Sequence, residues 1–149
     1  MATSSNSQTI AGLVAAVAAA AKAASVSFVL TTAPTPAARP RVGRWGTYYP
    51  KSYTTWRKEA EPQVTRGAEF YAKGTPLIVI VETIARRPRT SVREWPRGDV
   101  DNFAKGPLDI ITKSAKRWED DDQVIALLAT KRFAESGEEP RSIVHIIPT

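Results

Sequence analysis

Three short β-branched runs stand out along the chain: Val26-Ser27-Phe28-Val29-Leu30, Leu77-Ile78-Val79-Ile80-Val81 and Ser142 to Ile147. Each predicts a strand, and the second, apolar at every position, predicts one buried on both faces near the centre of a sheet. Gln123 to Arg132 fits a helix or a strand by period; the turn-forming ESGEEP at 135–140 favours a hairpin pairing 123–132 with 142–147. Ser52 predicts a helix cap, with the helix running through about Val64 and Tyr53, Trp56 and Ala60 on one face. Asp101 or Asn102 predicts a second cap, for a helix through about Ser114, in which Gly106-Pro107 marks either a kink or the true start. Ile10 to Ala24 is alanine-dominated and favours helix, so residues 1–24 read as an accessory helix or tail ahead of a domain at 25–149. The alanine run is too short to span a membrane, and residues 1–9 lack the positive charge of a secretory signal.

Composition narrows the chemistry. A chain of 149 residues fits one domain, and 42% hydrophobic with 24% charged residues is ordinary for a folded globular protein. The absence of cysteine removes disulfides, thiolate nucleophiles and cysteine zinc sites, and leaves a reducing cytoplasm as the natural compartment. His145 is the single histidine, which leaves carboxylates as the remaining metal ligands. The net charge of +6 is unevenly spread: residues 34–97 hold thirteen Lys/Arg against five Asp/Glu, and residues 98–149 seven against ten. That asymmetry suits a protein that grips a polyanion with one part and places a cation with another, although an uneven solvated surface has the same pattern. Two stretches are candidate DNA contacts. The first is the Pro/Arg-rich loop with Arg39, Arg41, Arg44, Trp45, Tyr48, Tyr49 and Lys51, where arginine interleaved with aromatics suits phosphate contact and stacking. The second is the basic loop 86–97, with Arg89, Arg93 and Arg97.

The most informative stretch is Asp99-Val100-Asp101-Asn102. In extended backbone its two carboxylates project to one side and converge on one metal ion. Some twenty residues later comes Trp118-Glu119-Asp120-Asp121-Asp122-Gln123, whose four acids repel one another unless solvated, capping or neutralised by a cation. Oxygen-only ligation fits Mg²⁺, or Mn²⁺, acting on a phosphodiester. Taken singly, each motif also reads as a solvated face or a helix cap.

The order D-x-D-N-x-x-K, an acid at 109, W-x-D-D-x-Q-V and then Lys131 resembles the RusA family of Holliday junction resolvases, strongly from Arg97 to Lys131 and weakly from Val26. The resemblance implies a single small α+β domain, a mixed β-sheet with flanking helices, assembled as a homodimer. It implies a metal-dependent endodeoxyribonuclease that cuts four-way junctions and related branched DNA by paired phosphodiester hydrolysis, with no membrane or small-molecule cofactor involved. Asp99, Asp101 and Asp121 would hold the metal, Lys105 would stabilise charge at the cleaved phosphate, and Arg39, Arg41, Tyr48 and Lys51 would lie in the DNA-facing loop. The chain departs from the family pattern at Gly98, at Gly106-Pro107 and in the extra acid Asp122. The alternative is a non-catalytic basic DNA-binding accessory protein that retains the fold; the full set Asp99, Asp101, Lys105 and Asp121 speaks against it, since a decayed enzyme is expected to lose at least one.

Overall fold

The computed structural model describes residues 2–20, 26–64, 70–114 and 117–149. In chain order the elements are α1 (Ala2–Ala20), β1 (Val26–Leu30), β2 (Arg41–Gly43), β3 (Gly46–Tyr48), α2 (Lys51–Ala60), β4 (Leu77–Ala85), α3 (Val100–Ser114), β5 (Val124–Phe133) and β6 (Arg141–Pro148). The main sheet has the order β1-β6-β4-β5, with β4 and β5 parallel and the other pairs antiparallel. It is the mixed sheet of an α+β protein. A separate two-stranded ribbon, β2–β3, stands within the Pro/Arg-rich loop.

β4 is buried or half-buried at every position, which is why its sequence is apolar on both faces. One face carries Leu77, Val79 and Val81, joined by Leu30, Val144 and Ile146, and packs on Tyr53, Trp56 and Ala60 of α2 and Ala104, Ile110 and Ile111 of α3. The other face presents Ile80 and Ile147 to Val14 of α1, with Ile78 and Leu128 beside them. Helix α1 therefore takes in the polar residues 2–9 as well as the alanine run; residues 21–25 lie outside those described.

The hairpin expected between 123–132 and 142–147 does not form. Segment 124–133 is a strand, but it pairs in parallel with β4, and β6 lies on β4's other edge, antiparallel to it. The reason is burial. β4 is apolar on both sides of its backbone and needs a hydrogen-bonded neighbour along each edge, which β5 and β6 supply together. Seven residues, 134–140, span the gap, held by Glu138 bonded to Arg132 at 2.5 and 2.7 Å and to Arg141 at 3.2 Å.

Two helix starts also differ from the sequence expectation. The cap of α2 is Pro50, with Ser52 inside the first turn, and the helix gives way after Ala60 to a 3-10 turn at Glu61–Gln63. α3 starts at Val100 and runs through Pro107 without ending there. Gly106 has a packing role of its own: a Cβ there would sit 2.8 Å from the Trp56 ring, so α2 and α3 approach as closely as they do only over a glycine.

His145 lies on the sheet face away from α2 and α3. Its Nδ1 meets Ser27 Oγ at 2.7 Å and its Nε2 meets Glu82 Oε2 at 2.8 Å, a polar file crossing β1, β6 and β4. The lone histidine is thus engaged within the sheet, on the face opposite the acidic helix.

Candidate active site

Asp101, Lys105 and Asp109 recur every four residues along α3 and so share one face, away from the buried Phe103, Ala104, Ile110 and Ile111. Lys105 Nζ lies 3.7 Å from Asp109 Oδ1, and Asp109 Oδ2 accepts from the Tyr53 hydroxyl at 3.4 Å. Asp99 ends the preceding loop, and its carbonyl accepts from the Phe103 backbone N–H at 3.2 Å. The two aspartates of the D-x-D motif are therefore not both extended: Asp101 is already helical, because the chain turns into α3 at Val100. The argument from strand alternation does not apply to them.

Two devices fix the loop that delivers Asp99. Gly98 has φ +100°, a left-handed conformation that glycine adopts without strain, and an added Cβ would meet the Phe103 ring at 3.0 Å. Lys131, from β5, donates to the carbonyls of Pro96 at 3.0 Å and Gly98 at 2.5 Å. Lys131 stands in the sequence motif without an evident role; here it clamps the backbone immediately before Asp99. The glycine that departs from the family pattern is the residue that this turn requires.

The W-x-D-D-x-Q motif divides into anchors, the exposed Asp122 and one acid, Asp121, that faces α3. Trp118 is fully buried and donates from Nε1 to Thr112 Oγ1 at 2.8 Å. Gln123 is buried; its Oε1 accepts from the backbone N–H of Glu119 and Asp120 at 3.0 and 3.1 Å. Its Nε2 faces the carbonyls of Tyr71, Ala72 and Thr75 at 2.9–3.2 Å. Asp120 caps the 3-10 turn Asp121–Gln123 by accepting from the Asp122 N–H at 3.2 Å. Asp122 lies with Lys73, Gly74 and Thr75 along a different depression. Asp121 is left as the acid that senses α3.

Its electrostatics say so. Burial, a hydrogen bond and the negative charge of Asp120, and the charge of Asp109 all push the Asp121 carboxyl above its ordinary range, with Lys105 opposing. Asp120 moves the other way, held down first by the Asp122 N–H and then by the Asp121 side chain. Burial and Asp109 push the Tyr53 hydroxyl up to about 12, so it stays a donor at neutral pH. Asp109 and Tyr53 thus belong to this neighbourhood. Asp109 is the acid at 109 of the motif order read from the sequence; Tyr53 gave no signal beyond its place in an apolar stripe.

Among the described residues, no three His, Cys, Asp or Glu side chains are close enough together to hold a metal ion. The donor chemistry nevertheless fits a hard divalent cation, because Asp99, Asp101 and Asp121 all offer carboxylate oxygens.

The predicted DNA-contact residues lie on the surface. Arg39, Arg41, Arg44, Tyr48 and Lys51 are exposed, as are Arg89, Arg93 and Arg97. An open groove of about 370 Å³ runs between the two loops, with Pro34 and Pro36 on one side and Arg86, Arg93 and Arg97 on the other. Its floor includes Phe103 of α3, and the Ala37 N–H docks the proline loop onto the Asn102 carbonyl at 2.8 Å. Arg87 is committed to structure, with its guanidinium 4.4 Å from the Phe133 ring centre and 2.7 Å from the Arg93 carbonyl. Among the described residues no helix is long and apolar enough to cross a membrane.

Fold and site together define a small α+β protein with a carboxylate-bearing helix face beside two cationic loops. The family model for endodeoxyribonuclease RusA matches residues 32–147, most of the chain, and the protein belongs to that family of DNA-cleaving enzymes. No curated protein sequence matches the chain closely enough to count as a relative.

Proposed function

We propose that this chain is a metal-dependent endonuclease that resolves Holliday junctions and related branched DNA. Membership of the RusA family gives the class of reaction. What supports the residue assignment is that Asp121 lies within electrostatic reach of Asp109 and Lys105 on α3: burial, Asp120 and Asp109 push its carboxyl up, and Lys105 opposes them. Asp99, Asp101 and Asp121 would hold Mg²⁺ or Mn²⁺, which supplies Lewis-acid polarisation of a phosphate and a more acidic water. Lys105, whose ammonium is largely solvent-facing, offsets charge developing on the phosphate oxygens. Lys131 and Gly98 hold the backbone that carries Asp99 in register with α3. Arg39, Arg41, Arg44 and Lys51 on one loop, and Arg89, Arg93 and Arg97 on the other, bind the phosphate backbone without reading bases.

A junction needs two matched nicks, so the active form is a homodimer with two such centres. Light scattering at micromolar concentration then gives about twice the chain mass of 16.3 kDa. The deciding experiment incubates the protein with a synthetic four-way junction and a matched linear duplex, each in Mg²⁺ or EDTA. Metal-dependent nicking of the junction alone supports the assignment; binding without cleavage in any metal refutes it and identifies a non-catalytic DNA-binding relative.

A further inference from the structure

The β2–β3 ribbon is exposed at every position but Gly43, and its tip is not polar. Residues Arg41 to Tyr48 form three cross-strand pairs closed by Arg44-Trp45, with Gly46 at φ +120° completing the turn. Trp45 at the tip is 92% exposed, and Val42 is 86% exposed. The Arg44 guanidinium lies 5.4 Å from the Trp45 ring centre, so one face of the indole carries a cation. Tyr48 runs back over Gly43, where an added Cβ would meet its ring at 3.0 Å. Single exposed apolar residues are commonplace on protein surfaces. An indole left 92% exposed at the end of a ribbon is different, because it covers almost none of the fold's own apolar surface.

Charge decides the kind of partner. The first acidic residue in the chain is Glu59, so the ribbon and its flanks, with Arg39, Arg41, Arg44 and Lys51, carry only positive charge. That favours a polyanion with flat apolar faces over an apolar protein surface. Position decides which part of it. The ribbon leads through Tyr49, whose ring lies 5.6 Å from that of Tyr53, to the hydroxyl that reaches Asp109 beside Lys105. The ribbon is thus rooted at the carboxylate face, and three residue pairs carry its tip roughly 10 Å beyond that root.

We infer that Trp45, flanked by Arg44, stacks on a base face left uncovered where the DNA branches, and so gives the protein preference for branched over linear DNA. In continuous duplex each base face is covered by its neighbours, and an indole gains nothing there. At a branch the stack is interrupted and one face is free. Indole stacking tolerates any base, so this preference is for structure and carries no sequence code. The inference rests on the nuclease reading for its biological setting, but binding tests it separately.

The test measures affinity in Ca²⁺ for a four-way junction carrying 2-aminopurine at the exchange point and for the matched duplex, using wild type, Trp45→Ala and Trp45→Phe. Nicking of the same junction by wild type in Mg²⁺ is recorded alongside, and thermal melting checks that the variants fold. Trp45→Ala is expected to lose about tenfold in junction affinity, the size expected for loss of one stacked base. Its duplex affinity should stay within about twofold, the wild-type change in 2-aminopurine fluorescence should disappear, and Trp45→Phe should retain most of both signals. Equal losses on junction and duplex, or no loss on either, overturn the inference. If wild type fails to nick while Trp45→Ala still loses junction affinity selectively, the stacking stands and the nuclease assignment falls.

Discussion

Gln123 is a residue whose removal the structure makes costly for its size. Its amide oxygen accepts from two backbone N–H groups and its amide nitrogen faces three carbonyls, all at 2.9–3.2 Å, with the side chain buried. The nitrogen has only two protons, so the side chain makes about four hydrogen bonds at once. At about 1 kcal/mol net each, Gln123→Ala should cost about 3–4 kcal/mol, less whatever water entering the vacated space recovers. Against a total of about 5–15 kcal/mol, that is a large share of the stability. For a chain of this size it corresponds to a drop in Tm of about 6–16 °C. Gln123→Glu sharpens the test. It keeps the acceptor for Glu119 and Asp120 but turns a carboxylate toward the carbonyls of Tyr71, Ala72 and Thr75, so near neutral pH it should be at least as destabilised, and acid should partly restore it. Differential scanning calorimetry on wild type, both variants and Asp122→Asn, which should melt like wild type, measures all of this. A Tm change under about 2 °C for Gln123→Ala would refute the reasoning that this amide builds the turn carrying Asp121.

Asp99→Asn, Asp101→Asn and Asp121→Asn should each reduce junction nicking in Mg²⁺ by orders of magnitude while leaving gel-shift affinity in Ca²⁺ intact or tighter; Asp122→Asn should have little effect, and near wild-type cutting by Asp121→Asn would remove the centre. Lys105→Ala should slow cleavage by roughly 10²–10³-fold, the size expected for loss of one transition-state stabiliser. Junction affinity should fall steeply with salt, and Arg39→Ala with Arg41→Ala should flatten the log–log slope by roughly 0.9 for each phosphate left without its arginine; an unchanged slope takes that loop out of the interface. Glu138, bonded to Arg132, has its carboxyl lowered to about 2 from an ordinary 4.5. Because the folded state then binds fewer protons than the unfolded state in that window, stability from this pair is present above about pH 4.5 and lost as pH falls toward 2. Glu138→Gln should lower neutral-pH stability and flatten that acid limb in urea titrations.

The β-branched run at 77–81 determined a central strand by itself, because only a position covered on both sides selects apolar residues without alternation. The stripe of Tyr53, Trp56 and Ala60 likewise determined a buried helix face, and the carboxylates were legible as residues in a recognisable order. Local sequence could not determine which strand lies beside which. Segments 124–133 and 141–148 each fit any apolar neighbour, and their placement on either edge of β4 was decided by the need of that one strand for two partners. The same holds within the site. That Asp120 is a cap and Asp121 the acid within reach of α3 follows from where the 3-10 turn lies, and that turn is held by Gln123 reaching across to Tyr71, Ala72 and Thr75, about fifty residues back in the chain. Lys131 clamps a loop thirty-three residues upstream of it. Periodicity reports only whether a side chain faces solvent or core. Contacts between distant segments depend on which surfaces are left to bury once every element has formed, and only the tertiary structure decides that.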